Sequence, residues 1–223
     1  MNQTRIKKNS LRLLLVVLAL AMTTWLGSIG VHIRVNNRLD AWFVEGDPAL
    51  AEYQAFRKTF GSDEVIISVL HGKKDALDKN LLRDLTDACR RIGKLDGVDR
   101  VASLHNLVFV NAVDGSIGSV VQGDVDDAAL ARARAAIAQK SPLAKRFVGA
   151  GGRDLVIYTW LSTTTDIDAH RSRILADVRS MLDIGPLSSV RAVSHGGMGV
   201  VYEAVNKATV EDGALFIGLS YIV

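Results

Sequence analysis

Five histidines, one cysteine and two glycine-rich runs hold most of the chemistry open to this 223-residue chain. His32, His71, His105, His170 and His195 never stand four apart, and no carboxylate or cysteine cluster flanks them. A metal centre needs several donors at such spacings, so no metal is expected. His170, beside Arg171 at a predicted helix start, reads as solvated. "GAGGRD" (Gly149–Asp154) has glycines like a phosphate loop, but it lacks Gly-Lys-Ser/Thr and leads into a strand, so it reads as a tight turn. "SHGGMG" (Ser194–Gly199) resembles an oxyanion-hole loop, yet no G-x-S-x-G elbow accompanies it. Its glycines read as the hinge from the last strand into a helix. Asp126-Asp127 falls at a helix start, where acids suit the dipole. Cys89 cannot form an intrachain disulfide and falls on an apolar helix stripe, as a buried hydrophobe would. No enzyme signature and no cofactor site emerge.

The elements that would position these residues follow from periodicity. "GDPALAEYQAFRKTFGSDE" predicts a helix capped by Asp47, with Pro48 first and Gly61 last. "EVIISVL" (Glu64–Leu70) is a buried-strand run. Leu81, Leu85, Ala88, Cys89, Ile92 and Leu95 form one stripe of an amphipathic helix that Gly97 is expected to stop, and "VDRVASL" alternates as a strand. Asp114-Gly115 is a turn signal that could join two short strands. "DVDDAALARARAAIAQKSPLAKRF" reads as helix with a break at Ser141-Pro142. "DLVIYTWLS" is a strand, Ile174, Leu175, Val178, Met181 and Leu182 share a helix face, and "SSVRAVS" is the last strand. A helix runs from about Val200 onward. The order holds β-α-β twice, which predicts an α+β domain of ferredoxin-like (split β-α-β) type, one sheet with helices on one face.

Charge and hydropathy place that domain. Arg5, Lys7, Lys8 and Arg12 precede the first apolar run and account for more than the whole +3 excess. Arg34–Asp212 carries the other 23 Lys and Arg against all 24 Asp and Glu, so no basic surface for nucleic acid is expected. Residues 1–12 read as a cytoplasmic basic leader. Residues 13–33 are apolar and would rise about 31 Å as helix, enough for a transmembrane segment. That is longer than the 7–15-residue core of a cleaved signal and has no A-x-A exit. The basic head keeps the N-terminus inside, so residues 34–210 form a domain on the outer side. Residues 211–223, with no charge after Asp212, read as the start of a second transmembrane helix.

The quoted stretches resemble one family. "DPALAEYQAFRKTFGSDEVIISVL" is similar to the segment after the first membrane helix of RND-superfamily exporters of the MMPL type, which carries D-x-A-x-x-x-Y-x-x-F-x-x-x-F-G-S-x-E-x-x-x-x-x-L. "LDGVDRVASL" resembles that family's P-G-V-x-x-V-x-S-L with Asp96 in place of proline, and "HGGMGVVYEAVNKATVEDGALFIGLSYIV" its glycine-containing strand end, long helix and second span. The resemblance implies an inner-membrane, proton-driven exporter of hydrophobic or lipid-like molecules, with the N-terminus cytoplasmic and the main domain periplasmic. The chain would supply the first span, the first porter domain and the start of the second span. Its partners would be the lipid bilayer, the substrate, and the remaining membrane and porter domains. The family's proton-carrying acids lie on later helices, so no relay residue is assigned here. Trp42, Phe43, Phe109 and Trp160 are candidate substrate contacts, although core packing or membrane-surface anchoring explains them equally well. Substrate identity and oligomeric state, a homo-oligomer included, stay open. The rival readings are a single-anchored periplasmic binding or scaffold module and a secreted enzyme behind a cleaved signal.

Overall fold

A computed structural model describes residues 3–30, 44, 46–74, 76–110, 115, 117–138, 142–149, 152–163, 167–183 and 187–220. The chain forms two compact units, Met1–Asn36 and Asn37–Val223.

Among the described residues the first unit is one helix, α1 (Gln3–Gly30), whose 28 residues rise about 42 Å. From Leu13 to Leu26 its large apolar side chains are each at least 54% exposed. Among the described residues, no helix is long and apolar enough to cross a membrane. Residues 31–33 of the expected transmembrane segment lie outside the described residues.

The second unit is an α+β fold. Helix α2 (Pro48–Phe60) starts where Asp47 accepts a hydrogen bond from the Ala49 amide at 2.9 Å, and it ends at Gly61 with φ 89°. Strand β1 (Val65–Gly72) leads to α3 (Lys79–Ile92), capped by Asp78, which accepts from the Leu81 amide at 2.8 Å. Leu81, Leu82, Leu85, Ala88, Cys89 and Ile92 are buried along α3. The helix stops at Gly93, four residues before the expected Gly97, because the Lys94 and Leu95 amides turn back to the Arg91 and Ile92 carbonyls. Gly97 instead takes φ 86° where the side chain of Ile174 approaches so closely that a Cβ would clash with it.

Strand β2 (Val98–Ala102) ends sooner than "VDRVASL" suggests, since Ser103 caps a 3-10 turn over Leu104–Asn106. Strands β3 (Val108–Val110) and β4 (Ile117–Ser119), which flank the Asp114-Gly115 signal, pair antiparallel; Asp114 itself lies outside the described residues. Helices α4 (Asp127–Ala138) and α5 (Ala144–Phe147) lie on either side of the expected Ser141-Pro142 break, of which Ser141 is outside the described residues. Strand β5 (Asp154–Leu161), helix α6 (Ile167–Asp183), strand β6 (Val190–Gly196) and helix α7 (Met198–Ser220) complete the unit.

The main sheet has four antiparallel strands in the order β2-β5-β1-β6. Alternate residues of β1 and β5 point to opposite faces. Ile66, Ser68, Leu70, Leu155, Ile157, Thr159 and Leu161 are all 0% exposed, facing the apolar stripes of α3 and α6. Val65, Ile67, Val69, His71, Asp154, Val156, Tyr158 and Trp160 occupy the other face and are half-buried. Gly197 (φ 92°) turns β6 into α7, as the glycine-rich run suggests. A Cβ there would come within 2.4 Å of the Val65 carbonyl oxygen.

Candidate functional site: the half-open sheet face and the root of the last helix

Of the four aromatic residues singled out in the sequence, the structure describes the side chain of one. Trp160 lies on the half-open face of β5, with the Arg100 guanidinium 4.3 Å from its ring centroid and Tyr158 stacked at 5.8 Å. Phe147 of α5 meets Tyr158 edge-on at 5.8 Å, and the Tyr158 hydroxyl donates to the Arg146 carbonyl at 3.2 Å. Phe109 lies on β3, its side chain outside the described residues, as are Trp42 and Phe43. The aromatic run Phe147–Tyr158–Trp160 was legible only in part. The alternation of "DLVIYTWLS" puts Tyr158 and Trp160 on one face, but nothing in the sequence brings Phe147 to them.

On the same face three polar side chains line up across three adjacent strands. His71 of β1 is paired in register with Asp154 of β5, and its Nδ1 lies 3.0 Å from Asp154 Oδ1. Its Nε2 lies 3.1 Å from Oγ of Ser194, on β6. Asp154 closes "GAGGRD" and Ser194 opens "SHGGMG". Neither motif forms the loop whose name its glycines suggest, yet each delivers one end of this chain of hydrogen bonds. A carboxylate only accepts, so Nδ1 donates to Asp154 and Nε2 accepts from the serine hydroxyl. The three residues are 83 and 123 positions apart in sequence, so no local motif could have revealed them.

A second cluster fastens the root of α7. Glu64 and Arg171 are buried, with side-chain exposures of 4% and 2%. Arg171 Nε donates to Glu64 Oε2 at 2.9 Å, and Nη2 lies 2.8 Å from the same oxygen. The Arg171 guanidinium also lies 5.3 Å from the Tyr202 ring centroid. Burial, followed by the nearby Asp63 and Glu64 carboxylates, raises the Tyr202 phenol above its ordinary range. Tyr53 of α2 donates to Asp63 at 2.8 Å and is shifted the same way, by burial first and then by that hydrogen bond. The strand β1, α2, α6 and α7 therefore meet around charged and phenolic groups. A sequence signal for Arg171 did exist: it sits four residues after Ile167 and three before Ile174, on the buried stripe of α6.

The remaining sequence candidates behave as ordinary structure. Cys89 is buried and donates to Ser103 Oγ at 3.4 Å, and burial pushes its thiol up to about 12. His105 is pushed down to about 4, by burial first and then by the Arg90 charge. His195 pairs with Ser68 at 3.0 Å on the helix-covered side. Among the described residues no group of three or more His, Cys, Asp or Glu is arranged to hold a metal ion. One cavity of 130 Å³ lies between Lys73, Asp78 and Ser189, and another of 270 Å³ lies beside Arg191 and Val193. Both are smaller than ordinary ligand pockets. The chain matches no protein-family model and no curated protein.

Proposed function

We propose that residues 1–223 are the N-terminal part of an RND-superfamily exporter of the MMPL type, with the sheet unit as its first porter domain on the outer side of the inner membrane. The observation that carries this reading is the build of the second unit. Two β-α-β units, β1-α3-β2 and β5-α6-β6, interleave as β2-β5-β1-β6, the order of a split β-α-β (ferredoxin-like) domain. The last strand then passes through Gly197 directly into α7, a helix of 23 residues. Leu215, Phe216 and Leu219 near its far end are at least 51% exposed, a surface that suits lipid better than water. In the same reading the exposed apolar run Leu13–Leu26 of α1 belongs to the first span, and the resemblance of the quoted "DPALAEYQAFRKTFGSDEVIISVL" points to the family. Porter domains of this kind move against partner domains to form a substrate path, by analogy with the rocking of paired repeats in other transporters. The substrate would be hydrophobic or lipid-like.

Residues 1–223 alone are expected to transport nothing, because the coupling acids belong to later helices. The test is fractionation of cells expressing the chain, followed by alkaline carbonate washing of the membranes. Retention in the washed membrane supports two embedded ends, and release into the soluble fraction rejects them. A second reading, a single-anchored periplasmic binding or scaffold module, is favoured by one observation: the sheet face carrying Val69, Val156 and Trp160 is half-open. Proton-coupled uptake into liposomes by residues 1–223 would contradict both readings.

A further inference from the structure

We propose that Ser194, His71 and Asp154 form an acyl-transfer site on the half-open face of the sheet, able to cleave esters of aliphatic acids. This goes beyond the export reading and does not rest on it, and it departs from the expectation of no enzyme chemistry. That expectation came from local motifs, whereas these three residues are assembled by strand pairing.

The geometry supplies each part that nucleophilic catalysis needs. Ser194 is exposed on the edge strand, so a substrate can reach Oγ. The 3.1 Å contact lets His71 Nε2 take the hydroxyl proton, and the 3.0 Å contact to Asp154 fixes the tautomer that leaves Nε2 free to do so. Asp154 is itself held in place. The Gly149 amide donates to its backbone carbonyl at 2.8 Å, and a Cβ on Gly149 would lie 2.9 Å from the Asp154 Cβ. Arg153 Nε stands 3.9 Å from Oδ1. Because β6 is an edge strand, alternate residues turn their backbone N–H away from the ladder. Either Ser194 itself or its neighbours Val193 and His195 then offer such a donor to a developing oxyanion. The apolar side chains of Val69, Ile67 and Val156 lie on the same face, directly beside the triad, where an acyl chain can rest. The protein also contains its own control. Ser68 and His195 form a similar pair at 3.0 Å, but Ser68 is fully buried and no exchange with solvent substrate is open to it.

The step balances without any added co-reactant. Ser194 Oγ bonds to the ester carbonyl carbon while its proton passes to His71 Nε2. The bond to the alcohol oxygen breaks, and that oxygen leaves with the proton from His71. Water then attacks the acyl-serine by the same route, returning the proton to Ser194 and releasing the carboxylic acid.

The experiment uses the full chain in detergent, a tagged fluorophosphonate as the probe and p-nitrophenyl butyrate as the ester. The expected result is one label per chain, located on the Ser194 peptide by mass spectrometry, and ester hydrolysis that Ser194→Ala abolishes. His71→Gln should slow labelling by about a hundredfold or more. Asp154 is a positioning residue: Asp154→Asn should slow labelling similarly, and Asp154→Glu should recover part of it. Thermal melting of each variant separates loss of chemistry from loss of fold, and Ser68→Ala should leave labelling unchanged. The proposal is overturned if the folded chain takes no label, or if Ser194→Ala labels as fast as the parent. It is equally overturned if Asp154→Asn, still folded, labels at the parental rate. Membrane retention decides the export reading separately.

Discussion

Ile66, Leu70, Ile157 and Leu161 are 0% exposed, while Val65, Val69, Val156 and Trp160, one residue along the same strands, are half-exposed. The two faces are thus built from much the same residue types and differ in what lies against them. On the covered face α3 and α6 exclude water; Ser68 finds a partner in His195 and Glu64, at the start of β1, finds one in Arg171, while the buried Thr159 hydroxyl has no hydrogen-bond partner among the described residues. On the half-open face a histidine, an aspartate and a serine sit among valines with solvent nearby. The covered face holds the fold together, and the other is free to meet a ligand or a partner domain.

Substitutions on the covered side should show the largest effects. Glu64→Ala would leave Arg171 buried without its carboxylate, and a loss of about 3–5 kcal/mol is expected in urea unfolding. The double variant Glu64→Leu, Arg171→Met should recover much of that loss, because no charge is then stranded. If the single variant melts like the parent, the pair is not the buried fastening described. Next in size is Ile157→Ala, where a fully buried side chain leaves a cavity worth about 2–5 kcal/mol.

The covered side should also respond to pH. The folded value of His105 lies near 4, below that of a free histidine, so the unfolded chain takes up the proton first as pH falls. The stability it contributes is complete above about pH 6.5 and is lost towards pH 4, on the order of 3 kcal/mol in all. His105→Gln should flatten that part of the stability–pH curve, and an unchanged slope would remove His105 as its source. On the half-open face, Val156→Thr should cost under about 1 kcal/mol, since its side chain already meets water. A cost equal to that of Ile157→Ala would mean that something covers this face and would erase the contrast. Cys89 gives a chemical readout of the same difference: at pH 8 a thiol-reactive dye should modify it only after denaturant is added.

Much of this architecture was legible because it is written in local periods. The cap at Asp47, the stripes of α3 and α6, the turn signal between β3 and β4 and the glycine turn at Gly197 each follow from neighbouring residues. The end of α3 was misplaced because Gly97 was read as a helix stop, when its role is to admit Ile174 from a distant helix. The same limit hid the candidate site. Asp154, His71 and Ser194 meet only because β1 pairs with both β5 and β6, and periodicity does not specify which strands become neighbours. From the sequence Arg171 is named only as the neighbour of His170, although its spacing from Ile167 and Ile174 already puts it on the buried stripe.

The central claim is that the sheet unit lies outside a membrane that holds the apolar stretches on either side of it. Arg173 is an exposed position on α6, with a 56% exposed side chain, and Cys89 is buried, so Arg173→Cys offers a single reactive thiol. In intact cells with the outer barrier opened, a membrane-impermeant maleimide should label Arg173→Cys, while a cysteine placed at Asn2 should react only after lysis. Labelling of the Asn2 position alone, or of Arg173→Cys only in lysed cells, would contradict the account.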